Sequence, residues 1–169
     1  VAPILFKNRS YDRKRICLYP NLLWEGGNNG TATIFAAVDD WIIETVKFLC
    51  RSDSYEIYVK LHPGEIKNES ELSPKDLLKD HLGSDIESIQ FIEPDEKVSP
   101  YDLGASMDLN IVYNGTLGLE FGLLEMPVII AGMAPYSCVM GKVVPRSKKE
   151  YFNFIESWHF PDMALNLDT

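Results

Sequence analysis

The chain has 169 residues, of which 46% are hydrophobic and 24% charged, so it can bury one real core but is short for two. Its formal net charge of −9 argues against a long nucleic-acid polymer as partner, because neutralising phosphates needs a basic surface, but leaves room for a mononucleotide held at a local site. No stretch approaches the roughly 18 apolar residues of a membrane span.

The start, Val1 to Lys7, lacks the charged-then-apolar layout of a signal peptide, and with no initiator methionine it reads as a fragment of a longer chain. Cys17, Cys50 and Cys138 form an odd count without Cys-x-x-Cys spacing, which fits reduced, cytosolic thiols. His62, His81 and His159 make no metal-ligand pair, and the sequons at Asn8, Asn29, Asn68 and Asn114 read as chance.

Residues 1–14 read as a lead-in, polar and basic from Lys7 to Lys14, and 15–169 as one domain. Arg15 to Asn21 is the first strand candidate, followed by a Gly/Asn-rich loop from Leu22 to Thr33. A helix from about Phe35 to Cys50 carries Val38, Trp41, Ile42, Val46 and Leu49 at three- and four-residue steps. The second strand, Tyr55 to Leu61, alternates and stops at His62-Pro63-Gly64, since proline cannot continue a ladder. Ser73 caps a helix with Pro74 at its first position, reaching Leu82. Ser88 to Ile92 is the third strand, and Ser99-Pro100 repeats the cap-then-proline start of a helix reaching Ser106 or Met107. Leu109 to Tyr113 is the fourth strand, and a helix follows Gly115 to about Leu124. Pro127 to Ala131 is the fifth strand, and Ser147-Lys148-Lys149-Glu150 is a capping box before a last helix reaching about Trp158.

Strict alternation of strand and helix predicts an α/β, Rossmann-like three-layer domain: a parallel sheet of about five to six strands with helices on both faces. In such sheets ligands bind beyond the carboxyl ends of the strands. This sequence gathers polar and permissive residues there: Asn21, Trp24, Glu25, Gly26 and Gly27 after the first strand, then His62 and Pro63, then Glu93. Asn114, Gly115, Thr116, Leu117 and Glu120 follow the fourth, and Gly132 and Tyr136 the fifth.

Gly115 lets a phosphate approach the backbone, Thr116 is positioned to cap the helix, and Glu120, a double acceptor, suits a ribose hydroxyl pair. The plainer alternative is an ordinary strand-to-helix turn with Glu120 on a solvated face. His62 suits donation to a phosphate oxygen, with the anion favouring its protonated form; its plainer alternative is a histidine that fixes the following turn. Trp24 and Phe35 read as core, Asp39, Asp40 and Glu44 as a polar helix face, and the basic run Lys142, Arg146, Lys148 and Lys149 as a solvated helix start. No nucleophile–base–acid triad is visible, and no Gly-x-Gly-x-x-Gly follows the first strand, which argues against a dinucleotide site.

The segments Val59-Lys60-Leu61-His62-Pro63-Gly64-Glu65, Asn110 to Glu120 and Glu125 to Gly132 resemble the donor half of GT-B glycosyltransferases, nearest to bacterial capsule polysaccharide biosynthesis proteins with a His-Pro motif. Tyr19 to Glu25, then Phe35 and Trp41, resemble the opening of such proteins, with Glu25 where an Asp is expected. The resemblance covers most of residues 15–158 and implies a two-domain enzyme whose carboxyl-terminal half holds a CMP- or UDP-linked sugar without metal or other cofactor. It implies His62 as the catalytic group, stabilising the leaving phosphate together with the helix opening near Thr116. Donor contacts fall on Asn21, Gly26, Gly27, His62, Pro63, Glu93, Asn114, Gly115, Thr116, Leu117, Glu120 and Tyr136. A saccharide or lipid-linked acceptor and the base then belong to an amino-terminal domain outside this chain, with peripheral membrane association of the whole protein. This chain alone is then inactive. Two alternatives stand beside it: half of a nucleotide-sugar 2-epimerase, for which only Glu93 and Glu120 are placed as acid and base, and a non-catalytic Rossmann-like module binding a nucleotide or a partner.

Overall fold

The structure, a computed structural model, describes residues 12–20, 34–67, 73–140 and 144–157. Five strands, β1 (Lys14–Tyr19), β2 (Tyr55–Lys60), β3 (Ile89–Ile92), β4 (Leu109–Val112) and β5 (Val128–Ile130), form one sheet in the order β3-β2-β1-β4-β5. All pairings are parallel, with Ile16 opposite both Ile57 and Leu109, Val59 opposite Phe91 and Ile111 opposite Ile129. The helices between and after them are α1 (Val38–Leu49), α2 (Pro74–Leu82), α3 (Pro100–Ala105), α4 (Leu117–Leu123) and α5 (Lys148–Glu156).

Period-two alternation sorts each strand's side chains into two cores. Ile16, Leu18, Ile57, Val59, Leu109, Ile111 and Ile129 pack with Trp41 of α1, Leu78 of α2 and Tyr151 of α5. Cys17, Tyr19, Tyr58, Val112, Val128 and Ile130 pack with Leu103 of α3 and Phe121 of α4. The domain is therefore a three-layer, Rossmann-like α/β sandwich. The chain builds outward from β1 to β3, crosses back, and resumes at β4 on the other side of β1, so the strand order reverses between β1 and β4.

The three expected caps form: Ser73 Oγ accepts from Asp76 N at 3.1 Å, Ser99 Oγ from Tyr101 N at 3.3 Å and Ser147 Oγ from Glu150 N at 3.2 Å. Two short 3₁₀ turns that the sequence pattern did not predict follow β2 (Pro63–Lys67) and α2 (Gly83–Ser88). The lead-in expected over 1–14 runs too far, because Lys14 belongs to β1: it is 1% exposed, and its Nζ donates to Ile155 O, on the last turn of α5, at 3.0 Å. Helix α1 starts at Val38 and not at Phe35, which instead meets Tyr151 edge-on at 5.1 Å in the core. Trp158 lies outside the described residues.

Asn110, wholly buried in mid-β4, ties the layers together. Its Nδ2 donates to Gly104 O and Pro127 O, both at 3.1 Å, and its Oδ1 accepts from the Tyr19 hydroxyl at 3.0 Å. It thereby holds the end of β1 beside the end of α3. No helix among the described residues is long and apolar enough to cross a membrane.

Candidate functional site

A cavity of about 610 Å³ opens beyond the carboxyl ends of β1, β2 and β4, across the point where strand order reverses. Tyr19 and Pro20 supply its wall from β1, and Lys60 to Pro63 supply it from β2. The loop between β3 and α3 adds Glu96, Lys97 and Ser99, with Tyr101 from α3 itself. Gly115, Thr116, Leu117 and Glu120 come from the turn after β4.

The His-Pro turn is a capping box with histidine in the capping place. His62 Nδ1 accepts from Gly64 N at 3.0 Å, and Glu65 Oε1 reaches back to accept from His62 N at 3.0 Å. Pro63 stands at the first position, where no N–H is needed, and Glu65 N donates to His62 O at 3.0 Å. Burial pushes the Glu65 carboxyl above its usual range, against the opposing bond from His62 N–H. An accepting Nδ1 carries no proton, so this pattern assigns the ring proton to Nε2 and leaves Nε2–H as the donor. The plainer reading of His62 as the residue that fixes its turn therefore holds, and the same bonds fix the ring's tautomer. A doubly protonated ring would give up the bond from Gly64.

Lys60 is the last residue of β2 and only 8% exposed, yet among the described residues its ammonium makes no hydrogen bond and no ion pair. Desolvation pulls its pKa below the ordinary lysine value, and Glu96 opposes this only through space. The Glu96 carboxylate is engaged elsewhere, accepting from Glu93 N at 2.9 Å. Across the cavity the Tyr101 hydroxyl donates to Glu120 Oε2 at 2.8 Å, and that bond, with the carboxylate's charge, pushes the tyrosine pKa upward.

The turn after β4 is held from beneath. The Tyr136 hydroxyl donates to Gly115 O, and burial pushes its pKa up to about 12. Gly118 seals the helix onto the sheet, since a Cβ there would meet Val112 Cγ2 at 2.7 Å and the Tyr136 hydroxyl oxygen at 2.8 Å. Thr116 does not cap as expected: its backbone is already helical (φ −55°, ψ −24°) and its side chain makes no capping bond. Helix α4 has only seven residues, so its dipole at this end is small.

Of the residues the sequence singled out, His62, Pro63, Gly115, Thr116, Leu117 and Glu120 meet at this cavity. Glu93 and Asn114 do not line it, and Glu93 instead accepts from Lys75 of α2. Tyr136 stands behind the wall as a brace. Asn21, Trp24, Glu25, Gly26 and Gly27 lie outside the described residues, as does Lys142. The rest of that basic run serves α5, with Lys148 Nζ 2.6 Å from Glu44. Lys60, Tyr19, Lys97, Ser99 and Tyr101 were not foreseen as lining residues. Lys60 alone carried a signal: a charge at the final position of a strand whose other face, Ile57 and Val59, is apolar.

Fold and cavity together define the class: a doubly wound parallel α/β domain with a ligand-sized crevice at its switch point. No protein-family model matches this chain, and no curated protein matches it either. No group of three or more His, Cys, Asp or Glu side chains among the described residues is arranged to hold a metal ion.

Proposed function

We propose that this chain is the nucleotide-sugar-holding half of a glycosyltransferase that builds a bacterial surface or capsular polysaccharide in the cytoplasm. The observation that supports this reading is convergence. The His-Pro turn after β2 and the Gly115-Thr116 turn after β4, two of the segments that carry the resemblance, lie some fifty positions apart and line one cavity. A ligand bridging them sets its phosphates near Lys60 and His62 and its ribose hydroxyls near the Glu120 carboxylate. His62 Nε2–H then donates to the phosphate oxygen on which charge grows as the glycosidic bond breaks. The donor is CMP- or UDP-linked, and the acceptor and its base come from a second domain, so this chain alone holds the donor and turns nothing over. Peripheral attachment of the whole protein to a membrane brings it to a lipid-linked acceptor. With Glu93 paired to Lys75 away from the cavity, an epimerase half loses one of its two carboxylates.

A second reading, a non-catalytic nucleotide-binding module, draws support from one fact: the cap bond to Gly64 is a sufficient structural reason for His62. The test is titration with CMP, UDP, GDP and ADP followed by NMR, using the wild type and His62→Asn. Asparagine keeps a capping acceptor but removes the Nε2–H donor. A saturable response to a pyrimidine nucleotide, weakened in His62→Asn, supports the donor-holding reading. Equal binding by both favours the module, and no response from the folded wild type rejects both.

A further inference from the structure

We propose that Lys60 is the anion seat of this cavity: a phosphate or pyrophosphate group docks on its ammonium at the end of β2, and not on the opening of α4. This rests on the reading of the cavity as a nucleotide site and deepens it by naming the group that takes the charge.

The inference comes from comparing the buried cations. Among the described residues three are buried: Lys14, Arg15 and Lys60. Lys14 donates to the Ile155 carbonyl at 3.0 Å, and Arg15 Nε is 3.1 Å from Glu56 Oε2. Both lie at the amino-terminal end of the sheet, away from the cavity, and both are satisfied. Lys60 is the exception, and it is the one that lines the cavity. Its stem is buried at the end of β2, but its ammonium is not sealed from water: among the described residues no buried side-chain nitrogen lacks a partner, so the unbonded Nζ faces the open cavity. A partly desolvated ammonium that no protein group holds, facing a cavity, is placed to take a ligand anion.

No neighbour is suited to take that place. Cys17, across the strand pair, is fully buried, and burial pushes its thiol up to about 12, so it offers no thiolate. Glu96 is held by Glu93 N and forms no ion pair with Lys60. The neutral His62 ring adds a donor on the same strand end, and exposed Lys97 sits on the cavity wall from the loop that follows β3. A point-charge ammonium beside one N–H donor recognises a compact, highly charged oxyanion; a planar carboxylate is better matched by the bidentate fork of an arginine. The rival position, α4, has two turns, no Thr116 cap and a Gly115 carbonyl already bonded to Tyr136.

The experiment is a thermal-shift titration of the wild type, Lys60→Met and Lys47→Met, an exposed lysine of α1 that does not line the cavity, with inorganic pyrophosphate and, separately, with UDP and CMP. Without ligand, Lys60→Met is expected to melt at or above the wild type, because methionine fills the space without the unpaired charge. A lysine kept only for structure would give the opposite. With pyrophosphate the wild-type midpoint rises with concentration, and Lys60→Met needs at least tenfold more for the same rise. Lys47→Met, exposed and away from the cavity, changes the requirement by less than threefold. Nucleotide binding that survives unchanged in Lys60→Met overturns the seat and leaves the nucleotide reading intact. Pyrophosphate binding through Lys60 with no response to either nucleotide keeps the seat and removes the nucleotide reading. A wild type that binds none of the three overturns both. Should Lys60→Met fail to fold, NMR on the wild type decides: pyrophosphate shifts centred on the Lys60 side chain and Gly64 amide support the seat, and shifts confined to Gly115 and Thr116 overturn it.

Discussion

Truncating Asn110 to alanine tests whether the hydrogen bond to Tyr19 holds the cavity wall. Three contacts disappear, but not with equal cost. Pro127 O keeps the bond from Asn110 N at 2.9 Å, and Gly104 O keeps the one from Met107 N at 3.2 Å. The Tyr19 hydroxyl loses its Asn110 Oδ1 acceptor and keeps only the Cys17 side chain, a weak sulfur partner, with its ring buried edge-on against Phe121 at 5.1 Å. An orphaned buried donor costs about 1–3 kcal/mol. The void left by the carboxamide adds about 1 kcal/mol, so Asn110→Ala is expected to cost about 3 kcal/mol in all. At roughly 2–4 °C per kcal/mol for a domain of this size, the melting midpoint falls by about 6–12 °C. Tyr19→Phe removes the donor itself and costs about 1 kcal/mol, since Asn110 keeps its two Nδ2 bonds. In the double variant the orphaned hydroxyl no longer exists, so its penalty vanishes and a coupling of about 1–2 kcal/mol is expected. Urea unfolding at constant slope measures all four corners of the cycle. Additivity within about 0.5 kcal/mol refutes the reasoning, because it means that the hydroxyl never depended on Asn110.

Two further outcomes follow from the packing. Gly118→Ala drives a methyl to 2.7 Å from Val112 and 2.8 Å from the Tyr136 hydroxyl oxygen, so it is expected to cost about 1–3 kcal/mol in urea unfolding and to shift the Gly115 amide in NMR; a neutral substitution would mean that α4 is not seated on β4 and β5 as described. At alkaline pH the domain is expected to weaken. Burial raises Cys17 from 9.0 to about 12 and Tyr136 from 10.0 to about 12, and raises Tyr19 and Tyr151 further. The folded chain therefore keeps protons that the unfolded chain releases, so the stability these groups give is complete below about pH 9 and is lost as pH climbs toward their folded values. Lys14 and Lys60, lowered by desolvation, act the other way over the window below 10.5, but Cys50, Tyr55 and Tyr58 are raised by burial as well and add to the loss. Melting midpoints from about pH 8 to 10.5 should fall, with Cys17→Ala flattening the first part; a flat or rising profile in the wild type refutes the assignment.

Much of the fold was legible because its signals are local. A serine two or three positions before the N–H it caps, with proline or glutamate in the right place, needs no tertiary partner, and Ser73, Ser99 and Ser147 all behave as expected. The β-strands were legible from alternation that the two cores impose. What failed was non-local or directional. Lys14 reads as part of a basic lead-in because its partner, the Ile155 carbonyl, lies 141 residues away. Glu93 sits at a strand end, as expected of a site residue, but its side chain turns to Lys75 across the loop. Gly83, with φ +56°, ends α2 in a left-handed conformation and opens a 3₁₀ turn that hydrophobic periodicity does not register.

The site shows the same division more sharply. The His-Pro segment was legible as a motif, and its physical basis is local: a capping ring nitrogen, a proline that needs no N–H and a glutamate that reaches back. That local logic is enough to conserve the geometry of the turn without any ligand. Lys60, two residues earlier, obeys no local logic. Alternation assigns Ile57, Val59 and Leu61 to the face under α1 and α2, so Tyr58 and Lys60 must point to the other face. Whether that buries a charge depends on the strand's neighbours. In the order β3-β2-β1 the strand β2 is flanked on both sides, and the β3–α3 loop folds over its end. A lysine that reads as an exposed strand terminus thus becomes a buried stem whose ammonium opens only into the cavity. Its partial desolvation, which pulls its pKa below the ordinary lysine value, is a tertiary fact set by these neighbours. A partly desolvated ammonium with no protein partner, lining the crevice at the switch point, is the physical reason to look for the domain's ligand at the end of β2 and not at the Gly115 turn.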